Sequence, residues 1–157
     1  MRRDKSIVTE RTLAMRKVFW PVLLLLMLAA VLASPARLRA LDKPEVAAQK
    51  AAESWLTLTD AGKYAESWRA ASRMFKAGVT EEQWQSAMHQ YRDPLGAVKS
   101  RKLSSAAPRK SLPGVPDGDY VVFRFASSFE HKHAAVETVT EQMEKDGSWR
   151  ISGYFIQ

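Results

Sequence analysis

The chain contains no cysteine among its 157 residues. That excludes disulfides, thiolate metal sites, a cysteine nucleophile and a lipid-modified cysteine behind any leader. It contains no asparagine either, so it has no Asn-X-Ser/Thr glycosylation acceptor. A glycine-rich phosphate loop, a GxSxG elbow and an HExxH helix are all missing. Without covalent or metal staples, a hydrophobic core has to hold the fold. The 117 residues after position 40 are enough to build one.

The body of the chain also has little net charge. The formal charge of +7 is concentrated in residues 1–40, which hold eight Lys/Arg and two Asp/Glu. Residues 41–157 hold sixteen and fifteen, a net of +1. A nucleic-acid binder carries its positive charge on the folded surface that meets phosphate. This body does not, and no nucleic-acid partner is expected.

What is present begins with a leader. Val18 to Ala33 is a sixteen-residue apolar run preceded by Arg16-Lys17, shorter than the roughly 20 residues of a usual membrane span. A basic segment, a compact apolar run and small residues after it describe a secretory signal. Cleavage is expected after Ala40, with Ala33 and Ala36 as alternatives, and Met15 would give a more ordinary start. The other reading is an uncleaved anchor. Six Lys/Arg precede the run and only Arg37 and Arg39 follow closely, which keeps the N-terminus cytoplasmic. Both readings place the body outside the cytoplasmic membrane, in the periplasm or beyond. Membrane contact is expected only through an uncleaved leader.

Asp42-Lys43-Pro44-Glu45 reads as a helix start. Ala47, Ala51, Trp55 and Leu58 then form an apolar stripe that Gly62 ends. Tyr64, Trp68, Ala71 and Phe75 form a second stripe, closed by Gly78. Thr80-Glu81-Glu82-Gln83 is a capping box for a third helix, whose stripe is Trp84, Ala87, Met88 and Tyr91, and Asp93-Pro94 ends it. Beyond Gly96 the period changes. Ala97 to Ala107 reads as a weak edge strand and residues 112–118 as a Pro/Gly loop. Tyr120 to Phe129 is the best strand, with Val121, Phe123, Phe125 and Phe129 on one face. Ala134 to Met143 alternates Val136, Thr138 and Thr140 against Glu137, Val139 and Glu141. Asp146-Gly147 signals a two-residue type I′ hairpin turn. Trp149, Ile151 and Phe155 are expected on the inner face of the last strand, and Gly153 between them marks a bend, a bulge or a close backbone approach.

Helices followed by an antiparallel meander make an α+β fold. The expected architecture is three N-terminal helices packed on a curved antiparallel sheet of about four strands. That is a cystatin-like or nuclear-transport-factor-like roll, occupying residues 41–157 as a single domain behind a leader at 1–40.

Several local patterns also resemble the bacterial family called domain of unknown function 4019. They are Ala52-Glu53-Ser54-Trp55-Leu56, Asp60-Ala61-Gly62-Lys63-Tyr64-Ala65-Glu66-Ser67-Trp68, Trp84, Pro94-Leu95-Gly96, Leu112-Pro113-Gly114, Asp117-Gly118, Tyr120, Glu137-Thr138-Val139-Thr140 and Trp149-Arg150-Ile151-Ser152-Gly153-Tyr154. The resemblance covers roughly residues 45 to 157. It implies a small exported bacterial protein with no assigned activity.

The candidate sites are few. Trp55, Trp68, Trp84 and Trp149 lie on apolar stripes and read as core, or as the lining of a pocket between helices and sheet. His131 and His133 share one side of an extended segment, but zinc wants three or four ligands and spacing fixes no third. Lys99, Arg101, Lys102, Arg109 and Lys110 read as a solvated edge that resists edge-to-edge pairing. Arg124 and Glu137, on neighbouring strands, could face each other as an ion pair or line a pocket. Tyr64, Tyr154 and His89 are the other polar groups that a ligand could meet.

The expectation is therefore an exported, non-catalytic module that binds a small ligand or a protein partner. Arg124, Glu137, Tyr154, Tyr64 and His89 are its candidate contacts, and no catalytic residue, metal or cofactor is expected. An isomerase- or hydratase-type enzyme using the same cavity, or a structural module that pairs as a homodimer, are the alternatives.

Overall fold

The computed structural model describes residues 43–157. The leader, its cleavage positions and the expected Asp42 cap all lie outside the described residues. Among the described residues four α-helices precede four strands: α1 Lys43–Asp60, α2 Tyr64–Ala70, α3 Arg73–Gly78, α4 Glu81–Tyr91, then β1 Val98–Arg109, β2 Tyr120–Phe129, β3 Ala135–Met143 and β4 Trp149–Ile156. A 3₁₀ turn, Asp93–Leu95, joins α4 to β1. The strands form one antiparallel sheet in the order β1-β2-β3-β4. The fold is α+β, with its helices ahead of its sheet.

The helices follow their local signals, with two differences. Gly62 at φ 69° ends α1. Gly62 N–H donates to the Thr59 carbonyl at 3.2 Å and Lys63 N–H to that of Leu58 at 2.9 Å, the paired bonds of a Schellman motif. The Thr80 capping box is complete: Gln83 N–H donates to Thr80 Oγ1 at 3.2 Å and Thr80 N–H to Gln83 Oε1 at 2.9 Å. The second stripe, however, is divided between two short helices, so four helices stand where three were expected. Ser72 makes the break: its hydroxyl caps α3 by accepting from Phe75 N–H, and its own N–H bonds to the Ile151 carbonyl at 2.8 Å. The second difference is the rotation of α1. Its buried face is Ala48, Ala52, Trp55, Leu56 and Thr59, while Ala47 is exposed. Trp55 belongs to both stripes, and its indole N–H is anchored on the Ser67 carbonyl at 2.8 Å.

The core lies between α1 and the inner sheet face, where Val121, Phe123, Phe125, Val139 and Ile151 are buried. Trp55, Trp84 and Tyr154 cluster above it, with ring centroids 5.2–6.3 Å apart. Trp149, expected in the core, is only half-buried against it, whereas Trp55 and Trp84 are buried.

Two details of β3 and β4 change what faces inward. The 144–148 hairpin forms, but only Gly147 has positive φ, at 80°. Gly147 N–H bonds to the Glu144 carbonyl and Glu144 N–H to that of Ser148. This is a three-residue loop ending in a left-handed glycine, not the two-residue type I′ turn. Further along, Thr140 pairs with Gly153 but Glu141 pairs with Ile151, leaving Ser152 as an extra residue. That bulge reverses the alternation of β4. Tyr154 turns inward, and Phe155 turns out to 58 % exposure.

The β2–β3 turn is tied to the 3₁₀ turn by Glu130 N–H to the Ala97 carbonyl (2.8 Å) and His131 N–H to that of Leu95 (3.0 Å). Gly96 lies between them at φ 73°, and a Cβ there would stand 2.9 Å from Glu130 Cβ and 3.0 Å from His131 Cδ2. Gly96→Ala is expected to lower stability by about 1–3 kcal/mol in urea titrations. Gly114→Ala, with φ 77° but open space around it, should lose less. Equal losses would show that the close approach at Gly96 is not restrictive.

Candidate functional site

The centre of the site is Glu137 on β3. It is fully buried and accepts four hydrogen bonds: Arg101 Nε at 2.6 Å, Arg101 Nη2 at 3.0 Å, Ser127 Oγ at 2.5 Å and Tyr154 OH at 2.6 Å. Four donors saturate the lone pairs of a carboxylate, which is what its burial requires. Arg101 uses its other edge on Asp60, with Nη1 at 2.6 Å and Nη2 at 2.9 Å. Burial alone would lower the affinity of Arg101 for its proton. The hydrogen bonds to Asp60 and Glu137 more than offset this and raise its pKa. Burial, and then the charge and hydrogen bond of Glu137, raise that of Tyr154, which stays a donor across the working pH range.

Asp60 occupies the last turn of α1, where the helix dipole disfavours negative charge. Two arginines compensate. Besides Arg101, Arg92 Nη2 reaches Asp60 at 3.2 Å, while Arg92 Nη1 donates to the Gly96 carbonyl at 2.7 Å. The Arg92 guanidinium carbon lies 4.6 Å from the centre of the Phe129 ring, a stacked arrangement suited to a weakly hydrated planar cation.

This network floors one end of a cleft of about 490 Å³. The helical α4 packs chiefly on α2 and the 3₁₀ turn and meets β4 through the Trp84–Tyr154 ring contact. Trp84, Ala87, Met88 and Tyr91 of α4 form one wall, and Tyr154, Phe155 and Ile156 of β4 the other. Arg92 and Leu95 lie between them, and Lys132 of the β2–β3 turn stands at the edge. A second depression of about 370 Å³, beside the start of α1, is bordered by Glu45, Arg109, Lys110 and Asp119 as well as by Trp149. Its rim carries both signs of charge.

The five residues singled out from sequence fall in three places. Glu137 and Tyr154 are in direct contact. Tyr64 and His89 are joined through Asp93: Tyr64 OH donates to one carboxylate oxygen and His89 Nδ1 meets the other at 2.7 Å. The Tyr64 hydrogen bond, followed by that of His89, holds Asp93 below the usual carboxylate range, while burial and then Asp93 raise Tyr64. Arg124 stands apart. It is exposed on the outer sheet face and pairs in register with Thr138, whereas Glu137 pairs with Phe125 and points inward. The expected Arg124–Glu137 ion pair does not form, because residues one apart in register face opposite sides of a sheet.

The cation that Glu137 does meet, Arg101, was placed from sequence in the solvated edge. Its side chain is only 15 % exposed, while Lys99, Lys102, Arg109 and Lys110 do lie exposed on or beside β1. The signal was available: Arg101 is two residues from Leu103 and so shares its inward face. Ser127 shares the inward face of Phe125 and Phe129 in the same way, while Asp60 and Arg92 had no comparable signal. His131 and His133 are exposed on the β2–β3 turn.

A helix layer on an open four-stranded antiparallel sheet, with an ion-pair network beneath a largely apolar cleft, defines a small α+β domain. By sequence the chain belongs to the family described as protein of unknown function (DUF4019), whose model matches residues 51–154. The match includes Asp60, Arg101, Ser127, Glu137 and Tyr154. No curated protein and no solved structure matches the chain.

Proposed function

We propose that this is an exported envelope protein whose domain binds a small apolar or amphipathic ligand, without catalysis, in the cleft between α4 and β4. One observation carries the reading. The exposed large hydrophobic residues among those described are Val46, Tyr91 and Phe155, and two of the three border the same cleft. A soluble surface gains nothing from displaying paired aromatics beside a hollow, and a volume near 490 Å³ lies within the usual range of small-ligand sites. The leader pattern supports the location outside the cytoplasmic membrane, and the nearly neutral body supports a partner other than nucleic acid.

An isomerase or hydratase would need a carboxyl free to exchange a proton with a substrate. Glu137 is already saturated by four donors, which favours a structural role for it beneath the cleft. A homodimer through the outer sheet face is the other arrangement considered, and no particular contact supports it.

The test is titration with a neutral apolar fluorophore such as N-phenyl-1-naphthylamine. Tyr91→Ser and Phe155→Ser are each expected to weaken its binding about tenfold, from the apolar contact removed. Both side chains are exposed, so the melting temperature should barely move. Unchanged binding in both variants would reject this cleft as the site.

A further inference from the structure

We infer that the ligand of this cleft is a single-chain amphiphile with a carboxylate head, a fatty-acid-like molecule, whose head lies between Arg92 and Lys132. The inference rests on the binding role proposed above and adds the chemistry of the ligand. Its first support is the charge of the lining. Arg92 and Lys132 are the charged side chains that border the cleft, and among the described residues no carboxylate does. Behind the wall the charges already balance, with Arg92 and Arg101 against Asp60 and Glu137. Among the described residues Lys132 makes no ion pair, so the cleft carries one positive charge in excess.

The second support is an unfilled hydrogen bond. Arg92 is 4 % exposed, and Asp60 and the Gly96 carbonyl take its two terminal nitrogens. Its Nε–H is buried and finds no acceptor in the protein. A buried donor without a partner forfeits the hydrogen bond it had in water, and this one belongs to a charged group. Arg92 borders the cleft, so an anionic oxygen there would supply the missing acceptor once a small turn of the guanidinium brings its Nε–H to the cleft surface, and a second carboxylate oxygen would be left for Lys132. The remaining wall, formed by Trp84, Met88, Tyr91 and Phe155, offers no other charged partner and suits an alkyl chain. A cationic amphiphile is disfavoured by the same charges.

The experiment follows the indole N–H resonance of Trp84 in the full chain, assigned by its loss in Trp84→Phe. Because Trp84 borders the cleft, the signal separates binding there from any association with the leader. Titrations use decanoate, decanol and decyltrimethylammonium below their micellar concentrations. Decanoate is expected to shift the resonance with about tenfold higher affinity than decanol, the worth of one charge-assisted hydrogen bond, and the cationic amphiphile should bind most weakly. Lys132→Gln should bring decanoate towards the affinity of decanol; Lys132 is partly exposed and its side chain makes no hydrogen bond or ion pair among the described residues, so the variant is expected to fold. If decanol and decanoate bind equally well, or the cation binds best, the head assignment is overturned while the cleft remains a binding site. If none of the three moves Trp84 in a folded protein, the binding role itself fails.

Discussion

Glu137→Ala is expected to lower the stability of the protein by about 3–5 kcal/mol at neutral pH, because removing one partner of a buried ion pair strands the other. Four donors lose their acceptor together: two from Arg101, one from Ser127 and one from Tyr154. Arg101 keeps Asp60, but Asp60 is at the edge of the network and partly exposed, so it cannot replace the buried charge. Glu137→Gln should lose less, since its amide oxygen still accepts on one side, from Tyr154 or from Ser127, while its NH2 takes the place of the other carboxylate oxygen. The double variant Arg101→Met/Glu137→Leu should recover part of the loss, as apolar replacements of a whole buried pair often do. Urea unfolding with matched slopes measures all three. A loss below about 1 kcal/mol for Glu137→Ala, the range of an exposed pair, would show that water reaches the network. Because the network floors the cleft, the alanine variant should also weaken ligand binding through displacement of Tyr154.

A second carboxyl on the same strand should have the opposite effect. Glu141 is fully buried, and neither of its oxygens has a partner. Its neighbours in register are Val121 and Ile151, and desolvation raises its pKa from 4.5 to about 8. The sign follows from proton uptake. The folded state holds a proton that the unfolded state has released, so stability is greatest below about pH 4.5. It falls as pH rises towards 8, by about 1.4 kcal/mol per unit, and flattens above that. Glu141→Gln removes this slope while keeping the shape of the side chain. The variant should match the parent near pH 4.5 and exceed it by an amount on the order of 3 kcal/mol at pH 7. Urea unfolding of both proteins between pH 4.5 and 8 provides the check. Parallel curves would mean that Glu141 finds a partner or water in solution.

These two glutamates mark where reading from sequence fails. On β3 the alternation of Val136, Thr138 and Thr140 against Glu137, Val139 and Glu141 was plain, but simple polarity would send the carboxylates to water. They point inward. One is tolerated because Arg101, Ser127 and Tyr154 converge on it, and the other because it can hold a proton. Neither condition is local, since the partners of Glu137 come from three other strands and the desolvation of Glu141 comes from its place on the inner sheet face between Val121 and Ile151.

The sequence by itself determined the class of fold, because its signals are local. Backbone donors at the start of α4 are capped within the same turn, glycine at Gly62 supplies the positive φ that ends α1, and period-two patterns lay out β2 to β4, with β1 legible only as a weak edge strand. It also determined the family, through Trp84, Pro94-Leu95-Gly96 and the run from Trp149 to Tyr154. Tertiary structure decided the site. One extra residue, Ser152, reverses the alternation of β4, so Tyr154 reaches Glu137 and Phe155 opens onto the cleft instead of filling the core. Alternation in a strand is read from nearest neighbours, but a bulge depends on the strand alongside. Arg101, Asp60 and Arg92 likewise meet only through tertiary packing, which brings the ends of α1 and α4 together with β1 and joins residues 32 and 41 positions apart in one hydrogen-bonded group.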